Sequence, residues 1–307
     1  MRKDFYFDSQ GAGQIHVCRW EPEAQPKAIL QILHGIAEFA ERYEDFAQYL
    51  TELGYLVVAE DHMGHGQSIG EGPQGYFHGG WFTAVADSYR LLQDTRREFP
   101  GIPYVLFGHS MGSFMARTLL AKYPDSGIAA AVICGTGWLP QLALPAMIPV
   151  AEGICKKTGE KNPSPELHKL VFGGYNKRIK NPRTASDWLT RDDAVVDAYV
   201  AHPLCGFIPA CGLMRDMLKG IHYNQQPETL SKMKKHLPVL FVAGQEDPVG
   251  NYGKGVQQAA AAFEKAGMIN VTVKLYPGCR HELLNELNSQ RVWDDIAGWI
   301  GSWIPME

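Results

Sequence analysis

The pentapeptide Gly108-His109-Ser110-Met111-Gly112 has the residue types and spacing for nucleophilic chemistry. It fits G-x-S-x-G, in which the serine sits at the tip of a sharp turn between a strand and a helix. The positions two before and two after the serine must be small, because side chains there would strike neighbouring backbone. A serine hydroxyl is a poor nucleophile near neutral pH. It needs a base, a carboxylate to hold the base, and N–H donors for the oxyanion. Such turns take their partners in the chain order serine, acid, histidine.

Of the eleven histidines, His168, His202, His222, His236 and His281 follow the serine. Only His281 lies beyond an irregular middle segment, in the loop Pro277-Gly278-Cys279-Arg280-His281-Glu282 before the last expected helix. It is the expected base, and the other four belong to the middle segment or its exit. The acid is expected just past a strand, within Gly244-Gln245-Glu246-Asp247-Pro248. Asp247 is preferred because the following proline biases its backbone toward an extended or turn conformation. Glu246 is the alternative. The loop after the preceding strand, Gly135-Thr136-Gly137, carries no carboxylate.

Met111, at the start of the helix, is expected to supply one oxyanion N–H, and Ile36, just past His34-Gly35, the other. His34 reads as a ring held by backbone in a tight loop, and Glu38 and Arg42 as a supporting pair near it. His62 and His65 stand in a glycine-rich turn without the further ligands of a zinc site. No metal and no cofactor is expected.

These residues need a scaffold. Phe5-Tyr6-Phe7 and residues 14–20 read as a strand pair opening the chain. Buried strands are expected over 28–33, 55–59 and 105–107, and further strands over 128–134, 238–243 and 271–276. Helices are expected over 42–53, 81–99, 114–123, 255–266 and 290–303. The alternation implies a mostly parallel sheet with helices on both faces. Residues 1–137 and 238–307 form that core. In 138–237 the rhythm breaks, with helical patterns over 147–158, 165–172, 192–201 and 213–222. This segment reads as a helical cap inserted over the C-terminal strand ends. Pro145 and Pro149 imply that the first turns of its first helix are irregular. The stripe Leu144, Met147, Ile148, Ala151 and Ile154, followed by Lys156-Lys157, has two readings. Packing on the core is preferred; transient contact with a lipid surface is the other.

Composition narrows the partners. The 307 residues are 45% hydrophobic with a net charge of -4, which gives no electrostatic case for nucleic acid. None of the six cysteines forms C-x-x-C, so they read as free buried thiols in a reducing compartment. The basic N-terminus lacks a signal-peptide apolar stretch, and no apolar run is long enough to cross a bilayer. A cytoplasmic location is expected, and no oligomeric state is indicated.

Five stretches together carry a resemblance. They are Leu33-His34-Gly35-Ile36-Ala37-Glu38 with Arg42-Tyr43, Asp61-His62-Met63-Gly64-His65-Gly66-Gln67-Ser68, the pentapeptide, Gln245-Glu246-Asp247-Pro248-Val249, and Gly278-Cys279-Arg280-His281-Glu282-Leu283-Leu284-Asn285-Glu286. The chain resembles the α/β-hydrolase superfamily and, within it, the group of monoacylglycerol lipases, lysophospholipases and the serine aminopeptidase domain. Many relatives carry glycine before the glutamate of H-G-x-x-E, where Ala37 stands, and histidine after it, where Phe39 stands. The resemblance implies a helical cap shaping an acyl pocket. It also implies a serine hydrolase cleaving a small acyl ester, a monoacylglycerol or another single-chain ester, through an acyl-enzyme. Aminopeptidase, amidase or thioesterase chemistry on the same residues is the alternative. An aminopeptidase would need a carboxylate in the cap for the substrate ammonium, with Glu152, Asp187 and Asp192 as candidates. A non-catalytic ligand-binding protein of the same fold is the reading from another class.

Overall fold

Four inner strands are largely apolar, because both of their faces are covered. They are β3 (Ala28–Leu33), β4 (Tyr55–Glu60), β5 (Tyr104–His109) and β7 (Val239–Gly244), and every residue in them is buried. With β1 (Arg2–Asp8), β2 (Gln14–Trp20), β6 (Ile128–Cys134) and β8 (Val271–Tyr276) they form one eight-stranded sheet. The order is β1-β2-β4-β3-β5-β6-β7-β8. The β1–β2 and β2–β4 pairs are antiparallel and the rest parallel. The computed structural model describes residues 1–70 and 72–304.

Side-chain alternation along the strands divides the interior in two. Leu30, Ile32, Val105 and Phe107 pack on one face beneath α1 (Glu44–Glu52) and α10 (Ser289–Trp303). Ile29, Leu33 and Leu106 pack on the other, beneath α2 (Trp81–Glu98), α3 (Met111–Lys122) and α9 (Lys254–Lys265). The expected helix over 42–53 begins instead as a 3-10 turn over Ala40–Tyr43 before α1.

Between β6 and β7 the chain forms α4 (Ala143–Thr158), α5 (Pro165–Phe172), α6 (Asp193–Ala201), α7 (Cys211–Asn224) and a short α8 (Pro227–Ser231) that the sequence pattern did not reveal. The expected irregular start of α4 is not found. Pro145 falls in the first turn, where its missing N–H has no helical partner to lose, and Pro149 is carried inside the helix. The α4 stripe turns inward: Leu144 and Ala151 are buried, and Met147, Ile148 and Ile154 pack against the core.

Two cysteines correct the free-thiol reading. Cys155 on α4 and Cys211 on α7 form a disulfide, with Cα atoms 5.4 Å apart. They lie 56 positions apart in the chain and meet because α4 packs along α7. Cys18, Cys134, Cys205 and Cys279 are free and buried. The reducing-compartment argument rested on all six being free, so it is lost with this pair. Among the described residues, no helix is long and apolar enough to cross a membrane.

Candidate active site

The turn from β5 into α3 is built by contacts that admit no side chain. A Cβ on Gly108 would lie 2.4 Å from the Gly112 carbonyl oxygen, and one on Gly112 would lie 2.0 Å from that of Leu33. Ser110 itself has φ 53°, a left-handed conformation that costs a non-glycine residue energy and is held by its surroundings. Its N–H donates to the Cys134 carbonyl at 3.0 Å, and its own carbonyl accepts from Ser113 N–H at 2.9 Å and Ser113 Oγ at 2.6 Å. The side chain is half-buried at the sheet's C-terminal edge.

His281 and Asp247 lie 34 positions apart in the chain and meet at 3.0 Å, Nδ1 to Oδ2. Both are buried. The other Asp247 oxygen accepts from Val249 N–H at 2.9 Å. With Nδ1 donating to the carboxylate, Nε2 keeps its lone pair. That nitrogen is buried and has no protein partner among the described residues. The ring is confined by Trp188, with centroids 4.9 Å apart, by His109 at 4.8 Å, and by Gly135, where a Cβ would sit 3.0 Å from the ring. Glu246, the alternative acid, is exposed. Of the remaining histidines, His168 lines the cavity beside Ser110, and His202 stacks on Phe39 at 4.7 Å. His222 lines a separate cavity, and His236 offers its carbonyl to Asn270.

The loop after β3 carries Ile36 against Ser110. Gly35 touches the serine so closely that a Cβ there would lie 3.1 Å from the Ser110 Cβ. Ala37, where many relatives have glycine, has φ 56°. The position demands left-handed backbone, and the alanine adopts it under the hold of its neighbours. Its carbonyl accepts from the Tyr199 hydroxyl at 3.1 Å and from Gly206 N–H at 3.0 Å, both from the β6–β7 insertion.

A buried ion network that the sequence revealed only in part supports this loop. Glu38 accepts from Gly35 N–H at 2.6 Å, Tyr43 Oη at 3.0 Å, His109 Nδ1 at 3.1 Å and Arg42 Nη1 at 2.6 Å. Arg42 also holds Glu282, next to His281, through two bonds of 2.8 and 2.7 Å, and lies 4.9 Å over the Tyr199 ring. Burial opposes the charge on Glu38, yet the hydrogen bond from His109 and the Arg42 cation hold its carboxyl well below the usual range. Burial likewise opposes the His109 cation, but Glu38 raises its pKa. Only the 38–42 pairing, one helical turn apart, was legible beforehand.

His34 is a structural tie. Its Nε2 accepts the His62 N–H at 2.9 Å, so Nδ1 carries the proton given to the Gly35 carbonyl at 2.7 Å. Burial lowers its pKa to about 4, which keeps it neutral. His65 is lowered by burial too. Asp61 joins the same loops, accepting from Ala40 N–H, Gln67 N–H and His16 Nδ1. Asp4, His16 and Cys18 approach one another on the first two strands, but Arg2 takes both oxygens of Asp4.

Two cavities meet at Ser110 and share Ile36 and Phe172 as walls. One, about 380 Å³, runs past His281, His168, Asn176, Ser186 and Trp188. The other, about 330 Å³, is apolar and lined by Met111, Phe114, Trp138, Met147, Leu218, Ile221 and Val249 among others.

The parallel sheet, the glycine-locked turn and the position of the cavity define an α/β-hydrolase. The chain belongs to the serine aminopeptidase S33 family, whose model matches residues 24–288. It is 30% identical to a monoacylglycerol lipase of Mycolicibacterium smegmatis, with 98% of each chain covered. It is also 30% identical to a monoglyceride lipase of Homo sapiens, covering 94% of this chain and 87% of that one. A carboxyl esterase from Bacillus coagulans, solved in complex with glycerol, superposes with a TM-score of 0.91 at 27% identity over 99% of each chain.

Proposed function

We propose that this protein is a serine hydrolase of carboxylic esters, with a monoacylglycerol or another single-chain acyl ester as substrate. One observation carries the reading: a buried His281 oriented by Asp247 at 3.0 Å, its Nε2 unpartnered, shares a cavity wall with Ser110 at the tip of a strained turn. In the proposed cycle Ser110 Oγ attacks the ester carbonyl and His281 Nε2 takes its proton. The Ile36 and Met111 N–H groups hold the oxyanion. The imidazolium returns the proton to the leaving alcohol, and water releases the acid from the acyl-enzyme by the same route. The apolar cavity takes the acyl chain and the more polar one the alcohol, with residues 138–237 acting as the cap. The curated relatives' names point to the same substrate class.

An amine-bearing substrate fits less well. Glu152 pairs with Lys219, Asp187 is bonded to Arg183 N–H and Thr184, and Asp192 caps α6. None of the three lines either cavity. Glu38 and Glu282, which do line one, are held by Arg42. An ammonium would therefore meet no free carboxylate among the described residues. A fluorophosphonate probe should label Ser110 once in the folded protein and leave Ser110→Ala untouched, read by intact mass. Absence of labelling, or faster turnover of aminoacyl amides than of monoacylglycerols, would sink this reading.

A further inference from the structure

The apolar cavity has Trp138 in its wall. Beyond it lies a second cavity of about 730 Å³, open to the surface between α4, α7, α8 and α9, with Leu142, Leu144, Pro145, Leu230, Ala262 and Ala266 in its walls. Among the described residues, Trp138 is the one that borders both spaces.

The indole is built as a fixed partition. The buried Arg117 guanidinium lies 5.5 Å from the Trp138 ring and also faces Phe114 and Phe263. Arg117 Nη1 donates to the Gly137 carbonyl at 3.0 Å. On the other side of Trp138, the Gln225 side chain clasps the Leu139 backbone, accepting from its N–H at 3.1 Å and donating to its carbonyl at 2.8 Å. The peptides flanking Trp138 are therefore pinned on both sides. Gly137 is packed so tightly that a Cβ would meet the Val249 carbonyl at 2.4 Å.

We propose that Trp138 is the end-stop of the acyl site, which limits the enzyme to medium-length chains, and that the second cavity would accept the rest of a longer chain were the indole absent. This rests on the ester-hydrolase reading and assigns its substrate class by chain length. A site of about 330 Å³ is at the small end of ligand cavities, roughly 300–1,000 Å³. Each further methylene buried is worth roughly fourfold in kcat/KM, until the chain meets the wall.

The test is a series of p-nitrophenyl and monoacylglycerol esters from butyryl to palmitoyl. The wild-type enzyme should favour octanoyl over palmitoyl by roughly 16-fold or more, the worth of two buried methylenes. In Trp138→Ala the palmitoyl-to-octanoyl ratio should rise by at least that factor. Adding Ala262→Phe, which refills the second cavity from a half-buried position, should return the ratio to the wild-type value. Trp138→Leu serves if the alanine variant does not fold. A ratio unmoved in a folded Trp138 variant, or wild-type turnover of palmitoyl equal to octanoyl, overturns the end-stop while leaving the hydrolase reading intact. Failure of the wild-type protein to cleave any ester overturns both.

Discussion

The two helices that flank the candidate nucleophile differ sharply in how they are held. In α3, which starts at Met111, every residue but the last is buried, whereas α5, which lends Phe172 to both cavities, buries only Leu167. The core side of the site is thus set by close packing and by glycines with no room for a Cβ. The insertion side presents a more exposed wall at α5, joined to the core by hydrogen bonds that include those of Tyr199 and Gly206 to the Ala37 carbonyl, of Arg280 to the carbonyls of Asp187 and Thr190, of Glu282 N–H to that of Leu189, and of Arg191 to Glu286. The lesson is a division of labour. Groups that must meet within tenths of an ångström belong to the packed layer, while selectivity belongs to the layer that can vary without unfolding the sheet.

Substitutions can break that division. The largest effect should come from Ser110→Ala and His281→Ala, each lowering kcat/KM on a monoacylglycerol by roughly 10⁴- to 10⁶-fold, with Asp247→Asn losing about 10³- to 10⁴-fold. Steady-state kinetics check this, together with thermal melts in which Ser110→Ala, at a half-buried position, should hardly move the melting temperature. Gly112→Val is next: its Cβ would overlap the Leu33 carbonyl oxygen, so we expect a stability loss of at least about 3 kcal/mol in urea unfolding. A variant that folds as well as wild type would show that the turn is less constrained than its contacts imply.

Tyr199→Phe sharpens the comparison, because it removes one tie between the layers. The Ala37 carbonyl keeps Gly206 N–H, so stability should fall by only about 1 kcal/mol. If the tie sets the oxyanion loop, kcat should drop roughly tenfold, as for a partly weakened oxyanion donor, with KM for a short ester unchanged. An equal loss in a melting curve without any change in kcat would make Tyr199 a packing residue only. The smallest effect concerns His109. Its pKa is raised in the folded protein, so its contribution is complete below about pH 6.5, the ordinary histidine value, and fades as pH rises through the raised one. His109→Phe should therefore cost more melting temperature near about pH 6 than near about pH 9, with a difference of no more than about 4 °C.

Much of the scaffold could be read from residue order. Strand runs, the glycine pair around Ser110 and the position of His281 before the last helix are local patterns, governed by burial periodicity and by the steric limits of one turn. The same holds for the loop of the candidate acid, since an aspartate before proline after a strand is a short-range feature. What tertiary structure decided is everything that depends on chain segments far apart in sequence. It turned Asp247 inward and left Glu246 exposed. It closed the Glu38–Arg42–Glu282 network across 240 positions and joined Cys155 to Cys211, contrary to the free-thiol expectation. It showed that Ala37 must adopt a left-handed backbone, and it set Trp138 between two cavities. The physical reason is range. Local sterics and hydrophobic period act within a turn or a strand and are written in neighbouring letters. Ion pairs, disulfides and cavities need two surfaces brought together, and only the packing of the whole chain determines which surfaces meet.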